Sequence, residues 1–137
     1  MNKFETLKAE KDGLDVWPDL LRYAAEDTPA DEIPEDDIHR FKWYGVFHRP
    51  QKPNTYMMRL RLTGGRVSAM QLREIAAISS ELGLETVDIT TRQNIQLRDL
   101  SLKDIPTILE RLANVGIQTL QTGMDNVRNF MGCPLAG

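Results

Sequence analysis

The sequence contains a single cysteine, Cys133, and no apolar run near the roughly 18 residues that a membrane-spanning helix needs. One cysteine excludes an internal disulfide. It also excludes an iron–sulfur cluster held by this chain alone, because such clusters typically take four thiolates. The first residues, MNKFETLKAEKDG, are charged and lack the apolar centre of a secretory signal. We therefore expect no membrane association, and a cytoplasmic location is the default expectation.

The chain also lacks the overall positive charge that typifies nucleic-acid-binding proteins. Its formal net charge is −3, so we expect no nucleic-acid partner. The charges are unevenly placed: residues 12–37 hold ten acidic residues against one basic residue, whereas basic residues dominate from Arg40 to Arg98. Two interpretations remain open. The acidic part is a solvated tail that aids solubility, or the basic part faces an anionic ligand.

The 137 residues suffice for about one domain, and 41% hydrophobic with 27% charged residues is typical of a soluble globular protein. Residues 1–50 are predicted to be an acidic arm and connector rather than a compact unit, because Pro29 and Pro34 interrupt its short helical patterns. Residues 51–117 form the regular part. Residues 118–137 are interpreted as the start of a further, truncated domain.

Hydrophobic periodicity in residues 55–121 predicts strands and helices in a defined order. TYMMRLRL alternates like a strand, and Ser68 is placed to cap a helix that buries Leu72, Ile75, Ala76 and Leu82. A second helix is expected to start after Asp104, with Pro106 in its first turn. The predicted strands are 55–62, 86–91, 94–100 and 117–121, and the predicted helices are 68–82 and 104–115.

This order of strand, helix, strand, strand, helix, strand is typical of the split βαβ, or ferredoxin-like, arrangement. We therefore predict an α+β fold in which two helices cover one face of an antiparallel sheet. The other face then carries four polar side chains: Arg59, Arg61, Gln96 and Arg98.

The arginines on this polar face are the main chemical signal in the sequence. Like charges side by side on a sheet repel, and the only obvious acidic partner is Asp88. A bound polyanion would offset the repulsion, because guanidinium groups pair with carboxylates in a forked geometry. A solvated polar face is the other interpretation of the same pattern. Residues 122–129 form a second polar cluster, which is either a turn or a loop that contacts a ligand.

Four segments identify a family resemblance. FKWYGVFHRP, TYMMRLRL, DITTRQNIQLR and QTGMDNVRN, in this order and spacing, resemble the assimilatory nitrite and sulfite reductases that use sirohaem. The acidic start KAEKDGLDVWPDLLRYA resembles bacterial and cyanobacterial nitrite reductases. Sulfite reductases tend to differ at Asp88 and around Asp125-Asn126-Val127, so the nitrite reductases are favoured.

The resemblance implies roles for individual residues. Arg59 and Arg128 match arginines that bind the anionic substrate on the distal side of the sirohaem. The remaining matches are to positions that hold the sirohaem carboxylates or lie beside the macrocycle: Thr90, Thr91, Arg92, Gln96, Arg98, Asn126 and Asn129. No residue of the chain is expected to bind a metal, and Cys133 is interpreted as a spectator thiol.

The implied reaction is the six-electron reduction of nitrite to ammonia. In the complete family enzyme, electrons pass from ferredoxin to a [4Fe–4S] cluster and then to sirohaem. The cluster cysteines are absent here, so the chain is expected to act with the remainder of a reductase and to be inactive alone. The alternatives are a standalone sirohaem- or anion-binding module, or a fragment of a sulfite reductase or of a related cobalamin-pathway enzyme.

Overall fold

A computed structural model describes residues 2–135. Its centre is an antiparallel sheet of four strands in the spatial order β1-β2-β4-β3. The two long strands, β2 and β4, lie side by side in the middle of the sheet. The strands are β1 (Val46–His48), β2 (Tyr56–Leu60), β3 (Val87–Ile89) and β4 (Ile95–Leu100).

Five α-helices accompany the sheet in the described part of the chain. The two longest, α4 and α5, pack against each other, and α4 also contacts β4. The helices are α1 (Lys3–Glu10), α2 (Trp17–Ala25), α3 (Glu35–Arg40), α4 (Ala69–Leu82) and α5 (Ile105–Asn114). The α+β class, the antiparallel sheet and the two helices on one face are confirmed.

Helix α4 begins as the sequence predicts, but it buries a different face. The Ser68 hydroxyl accepts from the Gln71 backbone N–H, and the Gln71 side chain accepts from the Ser68 N–H, which completes a capping box. Ile75, Ile78 and Ser79 are the buried residues. Leu72 and Ala76 were expected in the core, yet both are exposed, Leu72 to 49%.

The edge of the sheet next to β2 differs from the prediction. The expected strand at 117–121 is reduced to one bridge between Arg61 and Gln118, and β1 occupies the remainder of this edge. Gly45 makes the exchange possible. It has φ +75°, and a Cβ atom there would lie 2.7 Å from the Thr119 carbonyl oxygen and 2.9 Å from the Arg59 carbonyl oxygen.

Residues 1–50 were interpreted as an arm without compact packing, and in that respect the interpretation is wrong. Val16, Leu20 and Phe41 are fully buried in the same hydrophobic core as β2, β4 and α5. The buried Arg40 side chain donates to the Leu7 carbonyl oxygen, which ties α3 to α1. Short amphipathic helices gain most of their stability from such tertiary packing, so their local sequence signal is weak. The division of the chain into domains at residues 50 and 117 stays a prediction.

Candidate anion site

Arg59 lies at the centre of the polar sheet face, on β2 directly opposite Gln96 of β4. Its Nη1 donates to the Thr122 carbonyl oxygen at 2.8 Å. The guanidinium carbon stands 4.6 Å from the centre of the Phe47 ring, within cation–π distance. These contacts hold the guanidinium in place and use one of its five donors, so the others remain available to a ligand.

A cavity of about 190 Å³ opens beside Arg59. Six of the residues that the resemblance singled out line it, together with Asn94, which was not predicted. The lining residues are Arg59, Thr90, Thr91, Arg92, Asn94, Gln96 and Arg128. The structure therefore brings together both predicted substrate-binding arginines and four of the seven predicted cofactor-binding residues.

A tight turn between β3 and β4 presents Thr91 and Arg92 to the cavity. Thr90 N–H donates to the Asn94 carbonyl oxygen at 2.8 Å, and Asn94 N–H donates to the Thr90 hydroxyl at 3.2 Å. Gln93 adopts φ +57° to close the turn. The Nε atom of Arg92 is buried and has no hydrogen-bond partner among residues 2–135. A buried N–H without an acceptor is costly, so this donor is suited to a ligand oxygen.

Positive charge accumulates around Arg59 without a compensating carboxylate. Burial lowers the pKa of Arg59, and the charges of Arg128, Arg92 and Arg98 lower it further. Among residues 2–135, no carboxylate forms an ion pair with Arg59, Arg92 or Arg128. An anion bound here would relieve this repulsion, and Coulomb attraction in a partly buried site exceeds that in water.

Two of the arginines on the polar face are used differently from Arg59. Arg98 forms an ion pair with Asp88 at 2.5 Å and does not line the cavity. Arg61 donates to the carbonyl oxygens of Leu120 and Val127, at 2.8 and 3.1 Å. Arg61 therefore fastens the 120–127 loop to the sheet, and Arg98 contributes to the site only through its charge.

A second cavity, of about 490 Å³, lies on another side of Arg59. Arg59 and Arg128 line both cavities, so the two cavities share these guanidinium groups. Asn126 lines the second cavity, and its amide donates to the Gly123 carbonyl oxygen at 2.8 Å. The full lining is Phe4, Lys42, Phe47, Arg59, Gly123, Met124, Asp125, Asn126 and Arg128.

Asn129 lines neither cavity. Its amide nitrogen donates to the carbonyl oxygens of Leu62 and Arg92, both at 3.1 Å. Its side-chain oxygen is buried and has no partner among the described residues. This side chain fixes the Arg92 turn against the end of β2. Sequence reasoning placed Asn129 beside the macrocycle, and nothing in the local pattern distinguishes a ligand contact from this long-range bond.

Sequence reasoning missed Asn94, Phe47 and Lys42 as contributors to the site. Asn94 belongs to the segment DITTRQNIQLR and begins the predicted strand 94–100, but it was given no role in the site. Phe47 lies on β1, a strand of three residues within the supposed arm, so no alternation was long enough to indicate it.

The described residues contain no group of three or more His, Cys, Asp or Glu side chains placed to hold a metal ion. Cys133 is exposed. No helix in residues 2–135 is both long and apolar enough to cross a membrane.

Comparison with known families agrees with this geometry. Residues 49–115 match the model of the nitrite/sulfite reductase ferredoxin-like half domain. This segment is therefore similar to the half domain of that family. The match covers β2, β3, β4, α4 and all of α5, which includes the turn that carries Arg92 and leaves Arg128 outside.

Individual relatives extend the similarity to the whole chain. The chain is 48% identical to the ferredoxin–nitrite reductase of Synechococcus elongatus and 41% identical to the chloroplastic enzyme of Zea mays. Both alignments cover 100% of this chain, but they cover only 27% and 26% of those two proteins. The solved structure of the Mycobacterium tuberculosis NirA protein superposes with a TM-score of 0.87 at 34% identity, over 99% of this chain and 28% of that one.

Proposed function

We propose that this chain supplies part of the substrate and cofactor site of a ferredoxin-dependent nitrite reductase. The observation that carries the proposal is the convergence of Arg59, Arg92 and Arg128 on one cavity without a carboxylate partner in the described residues. The ferredoxin–nitrite reductases of Synechococcus elongatus and Zea mays are similar to this chain along its entire length. Ferredoxin as electron donor, nitrite as substrate and a cytoplasmic location belong to the same proposal.

The residues of the cavity fit an edge of sirohaem, a cofactor rich in carboxylates. The unpartnered Nε of Arg92 and the hydroxyls of Thr90 and Thr91 are donors suited to carboxylate oxygens. A cavity of about 190 Å³ is below the usual size of roughly 300–1,000 Å³ for a small-molecule site, so it admits only part of a macrocycle. Other parts of a reductase would complete the enclosure.

When bound, sirohaem supplies the redox chemistry of the six-electron reduction. This chain's residues supply charge and position. Arg59 and Arg128 hold the anion, and their fixed guanidinium groups stabilise negative charge that develops on its oxygens. The contacts of Arg59 with Thr122 and Phe47 orient the guanidinium before the anion arrives, which limits the reorganisation that binding requires. A [4Fe–4S] cluster would need cysteines from elsewhere, since this chain has one.

A chimaeric enzyme tests the proposal. This chain replaces the matching segment of the Synechococcus elongatus ferredoxin–nitrite reductase, and nitrite reduction by reduced ferredoxin is measured. Arg59→Ala is expected to lower kcat/KM by about 100-fold or more, the usual effect of losing one preorganised oxyanion donor, while sirohaem content stays near normal. The control is Arg73→Ala, an exposed arginine on α4, which is expected to leave activity unchanged. Equal activity of the two variants would exclude the anion-binding role of Arg59.

A standalone sirohaem-binding module is the second candidate, and the unpartnered Arg92 Nε favours it. Absorbance of sirohaem mixed with the isolated chain distinguishes the two. Binding that Arg92→Ala and Gln96→Ala weaken, and that Arg73→Ala leaves unchanged, supports a module. Absence of binding excludes the module and leaves a half-site that needs the rest of the reductase.

Assaying the chimaera with sulfite as well as nitrite separates these two substrates.

A further inference from the structure

Lys42 is a cation of the second cavity that the proposed function does not use. It belongs to the 3₁₀ turn Phe41–Tyr44, which follows α3. Its side chain passes so close to Gly123 that a Cβ atom there would lie 2.9 Å from the Lys42 Cβ. The ammonium group stands 5.4 Å from the centre of the Phe4 ring, another part of the cavity wall.

Within residues 2–135, the Lys42 ammonium makes one side-chain hydrogen bond, to Nδ1 of His39 at 3.0 Å. An ammonium group has no acceptor lone pair, so His39 Nδ1 must accept this bond. Nε2 of His39 then carries the ring proton and faces the Glu35 carboxylate at 3.2 Å. The imidazole is therefore neutral, and it holds Lys42 by an uncharged acceptor. The other two ammonium donors have no hydrogen-bond partner in the part of the chain that the structure describes.

The charges around Lys42 leave the second cavity positive. Lys42, Arg59 and Arg128 line it against a single carboxylate, Asp125, which is exposed and accepts a hydrogen bond from Asn2. In the described residues, Lys42 forms no ion pair with any carboxylate. Burial lowers the pKa of Lys42, and the charge of Lys3 lowers it further.

We propose that Lys42, positioned by His39, is a third anion-binding residue, and that it holds a small inorganic oxyanion in the second cavity together with Arg59 and Arg128. The inference deepens the proposed function by adding a residue outside the segments that bind the cofactor. It rests on that function only for the identity of the oxyanion as nitrite. His39 is a positioning residue, because it acts on the anion through Lys42.

The test titrates the isolated chain with sodium nitrite at constant ionic strength, with sodium chloride as the balancing salt. Backbone amide shifts in ¹⁵N–¹H spectra report the location. The amides of Gly123 and Asn126 monitor the second cavity, and those of Thr91 and Arg92 monitor the first. We expect saturable shifts at Gly123 and Asn126. The absence of saturable shifts there would overturn the proposal.

Lys42→Met is expected to weaken nitrite binding at the second cavity by about tenfold, since charge-assisted hydrogen bonds typically contribute that much. Lys103→Met is the matched control, because Lys103 is exposed on the turn before α5 and lines neither cavity. Equal affinity of Lys42→Met and the unsubstituted chain would overturn the proposal. A thermal unfolding curve for each variant separates loss of binding from loss of fold.

The positioning role of His39 has its own pair of variants. His39→Asn keeps a carboxamide oxygen close to the place of Nδ1 and is expected to bind nitrite within about twofold of the unsubstituted chain, a change of less than half a kcal/mol. His39→Leu removes the acceptor and is expected to bind at least about threefold more weakly. Equal binding by both would exclude the positioning role. These nitrite titrations use no sirohaem, so an inactive chimaeric enzyme would not contradict the role of Lys42. Conversely, unchanged nitrite binding in the Lys42 and His39 variants would not contradict the proposed function of Arg59.

Discussion

Asn94 and Asn129 hold the backbone of Leu62 from two sides. The side-chain oxygen of Asn94 accepts from the Leu62 N–H at 3.0 Å, and the amide of Asn129 donates to the Leu62 carbonyl oxygen at 3.1 Å. Both asparagines are buried. Because Asn129 also donates to the Arg92 carbonyl oxygen, the pair links the end of β2 to the turn that carries Arg92.

Removing either asparagine is therefore expected to destabilise the fold. Asn94→Ala leaves the Leu62 N–H without its acceptor and is expected to lower the free energy of unfolding by about 1–3 kcal/mol. Asn129→Ala leaves the Leu62 carbonyl oxygen without its donor, and we expect a decrease of about the same size. Urea unfolding of the two single variants and the double variant measures the coupling. Because both side chains act on Leu62, we expect the double variant to lose less than the sum of the two losses. Strict additivity would show that the two bonds act independently.

Removing a polar group at Tyr56 is expected to leave the free energy of unfolding unchanged or to raise it. Its hydroxyl is buried and has no hydrogen-bond partner in the described residues, and burial raises the pKa of Tyr56 to about 12. Tyr56→Phe keeps the ring and removes the unpartnered polar group, so the free energy of unfolding is expected to stay equal or to rise by about 1 kcal/mol. A loss above about 1 kcal/mol in urea unfolding would mean that the hydroxyl has a partner in solution.

Acidification is expected to destabilise the protein before its carboxylates titrate. Burial lowers the pKa of both His39 and His48. Below the ordinary histidine value of about 6.5, the unfolded chain therefore binds more protons than the folded one, and the free energy of unfolding decreases as pH falls. The decrease ends once pH passes below the folded-state values.

Urea unfolding at several pH values between about 7.5 and 5 measures this slope, in a window that lies above the ordinary carboxylate values. A double variant, His39→Gln with His48→Gln, should flatten it. A hydrogen bond from Lys11 and its charge lower the pKa of Asp19, and a hydrogen bond from Lys3 and its charge lower the pKa of Glu35. The stability that these two carboxylates contribute is therefore lost only at lower pH. An unchanged slope in the double variant would contradict the assignment to these two histidines.

Gly123 is expected to tolerate no side chain. A Cβ atom there would lie 2.7 Å from Cζ of Phe47, the ring on which the Arg59 guanidinium rests. Gly123→Ala should therefore lower the free energy of unfolding by about 1–3 kcal/mol and weaken nitrite binding. Gly132→Ala is the control, since its nearest neighbours would lie 3.7 Å away. Equal stability of the two variants in urea would contradict the close packing of Gly123 on Phe47.

Local patterns determined much of the fold. The alternation in TYMMRLRL, the Ser68 cap and the apolar spacing after Asp104 each concern residues within a few positions of one another, so β2, α4 and α5 were predictable. The packing of α1, α2 and α3 was not. These helices are only six to nine residues long, and they are stable only against partners that lie far away in the sequence.

The sequence by itself also indicated part of the candidate site, since Arg59, Arg92, Gln96 and Arg128 all lie in segments that resemble the reductases. It gave no site role to Asn94, Phe47 or Lys42. Only the tertiary structure decided what each arginine does. Arg61 and Arg98 look equivalent to Arg59 in the strand pattern, yet one bonds to loop carbonyls and the other pairs with Asp88. The reason is physical: in the described residues folding brings Arg59 one carbonyl acceptor and no carboxylate, so its other donors stay available to an anion. Which acceptors arrive depends on contacts between residues distant in the chain, and no local pattern records them.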